Sequence, residues 1–290
     1  MIHINKDKSY EFGRHINSLF LRDCFNPDEA SFIPEVDLES SFDSYRANNY
    51  RKQWLPLLLQ EQNGVCCYCM RTLGPGARIN IEHIVPKVTD EDMFARYVSA
   101  SAVIKRYVMH ASDYKLRVKK IEDIERYAEM PHMIAHTNLL ATCNGTRNSL
   151  RKWCCCNNLR GNDYIRPMML NPGEEHLVRY DENGIMYIHP AEESWSGILK
   201  ELNTETYQEI RTVWRHIAVN TGIDIRDFNS ETTSELPFRI NLFKSAFKVD
   251  NFLDIDEQYR RYAGELKPNG NMFYWDLLVA YKWFLEYYRQ

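Results

Sequence analysis

The sequence predicts an α+β fold in which a small strand-bearing core, stapled by cysteines, is flanked by helices and followed by a mainly helical C-terminal region. Two observations carry this. Seven of the eight cysteines lie between residues 66 and 156, as Cys66, Cys67 and Cys69, then Cys143, then Cys154, Cys155 and Cys156, with only Cys24 apart. Two short apolar runs, 79–85 and 138–143, fall among these cysteines, and helical patterns surround them. At 290 residues the chain can bury one large core or two modest ones.

Taken in order, residues 1–43 show no sustained period and contain Asn26-Pro27 and Ile33-Pro34, which reads as an irregular arm with room for one short helix. Residues 44–166 form the expected core domain. From Ser44 to Gln62 the apolar residues predict a helix, bent by Pro56 and ended by Asn63-Gly64. After Cys69 a ribbon with a Gly74-Pro75-Gly76 turn leads into Ile79–Val85, whose β-branched content predicts a strand stopped by Pro86. Residues 90–130 read as a helical insertion, charged on one side and apolar on the other. Asn138–Cys143 (NLLATC) reads as a second strand, and Asn157–Gly161 as a turn or short helix. In the expected C-terminal region, 167–290, Glu182-Asn183-Gly184 between two apolar runs predicts a hairpin. The rest is helical, ending in one aromatic helix over Asn271–Tyr288 that must pack on the body or on a partner.

Charge is uneven along the chain. Residues 1–65 carry 7 Lys and Arg against 10 Asp and Glu, residues 66–166 carry 16 against 10, and residues 167–290 carry 13 against 20. The cysteine-bearing segment alone is basic, as contacts with a polyanion would require. No apolar stretch approaches the roughly 18 residues of a membrane span, and Met1–Ser9 has no signal-like apolar core. The expectation is a cytoplasmic protein without a membrane partner, in which clustered cysteines bind metal.

A tetrahedral zinc site takes four thiolates or imidazoles, commonly as two pairs from two loops. Cys66 and Cys69 have the C-x2-C spacing of one tight knuckle, whereas Cys67 points elsewhere. Cys143 follows the NLLAT strand, and the fourth ligand comes from the Cys154–Cys156 run. Between the pairs stands Glu82-His83, two neighbours on a strand that reach a common site only where the strand twists or ends. His132 and His136 flank the second strand, but four cysteines already suffice for zinc, so packing or capping is their expected role. The basic run Lys115, Arg117, Lys119 and Lys120 fits either a nucleic-acid contact or a solvated helix face.

The succession Cys66-x-x-Cys69, IEHIVPK (81–87), NLLATC (138–143) and Cys156-Asn157-x-x-Arg160-Gly161-Asn162 resembles the HNH (ββα-metal) endonucleases. More narrowly it is similar to the PtuB-like HNH proteins associated with retrons and the Septu anti-phage system, a likeness covering about residues 50–215 and including Ile198–Asn203 with Tyr207, Ile210 and Arg211. The resemblance implies a ββα-metal core with His83 as general base, Glu82 and Asn157 as ligands of a catalytic Mg²⁺ or Mn²⁺, and Asn138 holding the loop and the His83 backbone. It implies Arg160 at the phosphate, where the family usually has Lys. Because Asn157 follows it directly, Cys156 becomes the fourth zinc ligand, with Cys155 the runner-up. It further implies a nucleic-acid substrate, DNA before RNA such as tRNA, and an ABC- or SMC-like (PtuA-like) ATPase partner within a retron or other defence complex. This chain itself has no GxxxxGK[ST] loop. Two departures stand out: twelve residues lie between Cys143 and Cys156, and about fifty lie between Pro86 and Asn138.

The chemistry of those residues suits phosphodiester cleavage. Neutral imidazole near pH 7 can take a water proton, and a hard ion held by one carboxylate and one amide oxygen keeps positions open for phosphate and water. The competing functions are a zinc-stapled binding or scaffold module that does not cut, and a cysteine redox protein. The redox reading lacks the βαβ pattern or helix start after Cys69 that it needs.

Overall fold

In the computed structural model, the residues described are 1–32, 45–74, 79–143, 156, 162–228, 235–264 and 273–289. They form a mixed α+β chain with small two-stranded sheets, and contacts divide it into two compact units. Unit 1 comprises Met1–Cys69, Leu73–Val178 and Ile188–Ile198; unit 2 comprises Met70–Thr72, Arg179–Tyr187 and Leu199–Gln290. The segment read as an arm therefore belongs to unit 1.

The first α-helix of unit 1 is α1 (Tyr10–Cys24), 15 residues long, in the segment read as an irregular arm with room for one short helix. Its inner face combines Ile16, Phe20, Leu21 and Cys24 with Gly13, Asn17 and Ser18. Phe12 and Leu19 point to solvent. Three of its eight buried residues, Gly13, Asn17 and Ser18, are thus small or polar. At Gly13 only a hydrogen fits, since a Cβ there would lie 2.2 Å from the His136 ring. Strands β1 (Phe25–Asn26) and β2 (Ser31–Phe32) make a short antiparallel pair, and Ile33-Pro34 lies outside the described residues.

Helix α2 (Tyr45–Glu61) contains Pro56 and stops where Asn63 and Gly64 take left-handed conformations, as their sequence suggested. Trp54 and Leu58 on this helix are fully buried, and Trp54 packs 5.9 Å from the Phe20 ring. Arg51 Nη2 donates to the Ile79 carbonyl at 2.9 Å, tying α2 to β3 (Ile79–His83). Part of the Gly74-Pro75-Gly76 turn lies outside the described residues.

Strand β3 pairs antiparallel with β6 (Leu139–Cys143), from Ile79 opposite Cys143 to His83 opposite Leu139. Every residue of β6 is buried. Between the two strands the insertion holds α3 (Glu91–Ala100), α4 (Ala102–Tyr107) and α5 (Ala111–Arg117). Asp90 caps α3 by accepting from Met93 N at 2.7 Å. The insertion is not wholly helical, because β4 (Val108–Met109) pairs in parallel with β5 (Met130–Pro131). The turn or short helix read at Asn157–Gly161 lies outside the described residues.

Strands β7 (Val178–Tyr180) and β8 (Met186–Ile188) form the two-stranded sheet that the Asn183-Gly184 signal suggested. They are followed by α6 (Ser196–Leu202), α7 (Glu205–Asn220), α8 (Leu236–Phe247) and α9 (Glu257–Ala263). The final aromatic stretch divides into α10 (Phe273–Ala280) and α11 (Phe284–Tyr287) in place of one continuous helix. Tyr281, Lys282 and Phe284 each bond back three residues, which tightens the chain between them. Trp275, Leu278, Tyr281, Phe284 and Leu285 are all buried within this chain. In unit 2 Trp214 Nε1 donates to the Leu278 carbonyl at 3.0 Å. The buried Arg211 guanidinium donates to the carbonyls of Gly184 and Leu202 and lies over the Tyr180 ring.

Candidate active site

The sequence-predicted site residues fall at the two ends of the β3–β6 ribbon. At the first, Cys66 and Cys69 stand on the knuckle that follows α2, and Met70 beyond them turns the chain with φ +62°. Gln62 fixes the knuckle to β6: its amide donates to the Val65 and Ala141 carbonyls at 2.9 and 2.8 Å, and its oxygen accepts from Ala141 N at 2.7 Å. The sulfurs of Cys66, Cys69, Cys143 and Cys156 all lie within 4.8 Å of one another, and all four residues are buried.

That spacing excludes a disulfide and suits a metal. The Cys69 and Cys143 sulfurs are 3.7 Å apart. A disulfide needs about 2.05 Å, whereas two sulfurs each about 2.3 Å from a central zinc lie about 3.8 Å apart along a tetrahedral edge. Four close, buried cysteines with this geometry could coordinate a metal such as zinc. Burial opposes ionisation of Cys66, yet hydrogen bonds from Cys143, Cys156, Cys67 and Cys69 hold its thiol well below the ordinary range. Cys67 is also buried but does not join the four sulfurs. Burial first, then its bond to Cys66 and the nearby Glu82 charge, push its thiol up.

At the other end stand His83 and Asn138. His83 is buried at 7% exposure, and its Nε2 lies 2.8 Å from the Met133 carbonyl. A carbonyl only accepts, so Nε2 carries the proton and Nδ1 is the basic nitrogen. Asn138 lies in a short turn, His136–Asn138, directly before β6 and is fully buried. Its side-chain oxygen accepts from Val85 N at 2.7 Å, and its amide donates to the Val85 and His132 carbonyls at 3.0 and 2.7 Å. Its own carbonyl accepts from Ile84 N at 2.9 Å. Asn138 therefore holds both residues that follow His83. Glu82 is half-buried on β3, one position before the strand ends.

Asn157, Arg160 and the alternative ligand Cys155 lie outside the described residues. His132 and His136 are not part of the cysteine cluster. His132 accepts from Ala111 N and reaches the Lys87 carbonyl at 3.1 Å, and burial lowers its pKa to about 4. It is a neutral brace between the insertion and the loop after Val85. Lys119 and Lys120 of the basic run are exposed, and Arg117 lies over the Tyr127 ring.

A polar network behind Asn138 was not foreseen from sequence. Lys6 Nζ donates to Glu61 Oε2 at 2.5 Å and to the Leu139 carbonyl at 2.7 Å. Glu61 Oε1 also meets His136 Nε2 at 2.9 Å and the Ser9 hydroxyl. Burial opposes the charge on Glu61, but Lys6 and His136 outweigh it and hold its pKa down to about 2. A Lys and a Glu 55 residues apart carry no motif, so only the fold reveals the pair. Compared with protein-family models, with curated proteins and with solved structures, the chain matches none.

Proposed function

We propose that this chain is a metal-dependent HNH endonuclease whose general base is His83. The observation that carries the reading is the His83 environment. One ring nitrogen is committed to the Met133 carbonyl at the end of a strand, and the loop that follows is bound by Asn138. A base needs a defined tautomer and a defined direction, and these contacts supply both.

In this reading Nδ1 of His83 takes a proton from water as the water oxygen attacks phosphorus, and the bond from phosphorus to the leaving oxygen breaks. The leaving oxygen takes a proton from solvent, and the imidazolium so formed returns its own to solvent. Glu82 and the amide of Asn157 would hold Mg²⁺ or Mn²⁺, a hard ion suited to oxygen donors, and Arg160 would contact the phosphate. The ion supplies charge stabilisation at the phosphate oxygens. The four cysteines would hold a structural zinc, which separates soft and hard donors within one small domain.

DNA is the proposed substrate, with RNA, including tRNA, as the alternative within the same chemistry. The resemblance to PtuB-like proteins extends the proposal to an effector of anti-phage defence working with an ABC- or SMC-like ATPase. The surface acids of residues 167–290, such as the exposed Asp254 and Glu257, would be the docking groups.

Incubating the purified chain with supercoiled plasmid and, separately, with structured RNA, in Mg²⁺ or in EDTA, tests the reading. Cleavage in Mg²⁺ that EDTA abolishes is the expected result. Binding without cleavage of either polymer, in Mg²⁺ and in Mn²⁺, would favour the zinc-stapled scaffold instead.

A further inference from the structure

We infer that the segment before α1, together with α1, is a positioning clamp for His83, acting through Lys6 and Asn17. The inference rests on the reading of His83 as the base. Residues 132–139 contribute the Met133 carbonyl to the His83 ring and Asn138 to the backbone that follows it. Fixing that stretch fixes these contacts with His83.

The N-terminal segment grips it at four points. Asn17 donates from Nδ2 to the Ile134 carbonyl and accepts from His136 N at 3.2 Å. Lys6 Nζ donates to the carbonyls of His136 and Leu139, at 3.3 and 2.7 Å. These contacts bracket Met133 on one side and Asn138 on both. Gly13 lets α1 come against the His136 ring, where a side chain would collide. The α1 backbone therefore lies directly on the stretch it holds.

The cost of this arrangement argues that it does more than fill space. Lys6 is 1% exposed and Asn17 is fully buried. An ammonium has three donors, and here Glu61, His136 and Leu139 take all three. A buried ion pair is seldom the most stabilising choice compared with apolar residues of similar size, but it fixes direction and register. Direction is what a base aimed at a water molecule requires, because a displacement of about 1 Å can lower a rate by roughly a hundred-fold.

The test uses the full chain, labelled with ¹⁵N at histidine, and two variants: Asn17→Ala, and the double variant Lys6→Met/Glu61→Gln, which leaves no unpaired buried charge. Imidazole ¹⁵N spectra read the His83 tautomer directly, zinc content and thermal unfolding report the fold, and cleavage of a labelled oligonucleotide gives kcat and KM. In wild type His83 shows protonated Nε2. In the variants, with zinc content kept, the signature becomes mixed or shifts toward Nδ1–H, and kcat drops about ten- to hundred-fold while KM changes less than about two-fold. An unchanged His83 spectrum in a folded variant overturns the clamp, as does loss of folding in both variants, which would make the segment a purely structural element. If no protein cleaves but the spectra respond as expected, the clamp stands and the nuclease reading fails.

Discussion

At one end of the β3–β6 ribbon Cys143 meets three other sulfurs, and at the other His83 meets a carbonyl and the backbone gripped by Asn138. The strands are the same two, yet the means of fixing them differ. A thiolate cluster tolerates small changes of direction, because a single ion draws four donors together. At the His83 end the described contacts are hydrogen bonds, each of which has a direction. Order there comes from directional hydrogen bonds passed from Lys6 and Asn17 to residues 134–139, and from there to the loop after His83. On the proposed reading, one end holds the fold together and the other holds an orientation.

That contrast can be broken from the cysteine end first. Cys69→Ala should remove the zinc and cost folding outright, since a structural site of this kind contributes on the order of 10 kcal/mol. Elemental analysis and circular dichroism would check it, and a folded, zinc-free variant would contradict it. Asn138→Ala leaves the Val85 amide and the Val85 and His132 carbonyls without their bonds, so roughly 3 kcal/mol of stability should go, with zinc retained. Denaturant unfolding would read the loss, and a change under about 1 kcal/mol would show that the loop is fixed by something else.

His132 sharpens the comparison through pH. Its folded pKa of about 4 lies below the ordinary 6.5, so between those values the unfolded chain binds the extra proton. Stability is present in full above about pH 6.5 and is lost as pH falls toward 4, by up to about 3 kcal/mol. His132→Gln should flatten that slope; an unchanged slope would assign it to other groups. The smallest effect on cleavage is expected from Asp254→Lys with Glu257→Lys, both on the surface of unit 2. Cleavage should stay within about two-fold, since such surface changes leave stability within about 0.5 kcal/mol. Binding to a partner ATPase should weaken, and undiminished binding would remove these acids from the docking surface.

The cysteine end was legible in the sequence because its chemistry is carried by residue type and spacing. Cys66-x-x-Cys69 marks one knuckle, and the NLLATC strand delivers Cys143. The His83 end was legible only in part. Glu82, His83 and Asn138 could be singled out by resemblance, whereas Lys6, Asn17 and Glu61 could not. The length of α1, read only as one short helix in an irregular arm, was missed because Gly13, Asn17 and Ser18 face inward while Phe12 and Leu19 face out, so apolar residue type marks the buried face incompletely. Gly13 and Asn17 mark the contacts with Ile134 and His136. The expected single C-terminal helix failed for a different reason. Its apolar spacing runs unbroken through Tyr281–Phe284, and spacing alone does not distinguish four-residue from three-residue bonding.

The most direct measurement compares wild type with His83→Ala for cleavage of plasmid and RNA in Mg²⁺, with zinc content and unfolding recorded on the same preparations. Removal of the base should lower the rate by roughly a hundred-fold or more, with nucleic-acid binding and zinc unchanged, because the side chain lies at the opposite end of the ribbon from Cys143. Undiminished cutting by His83→Ala would contradict the account.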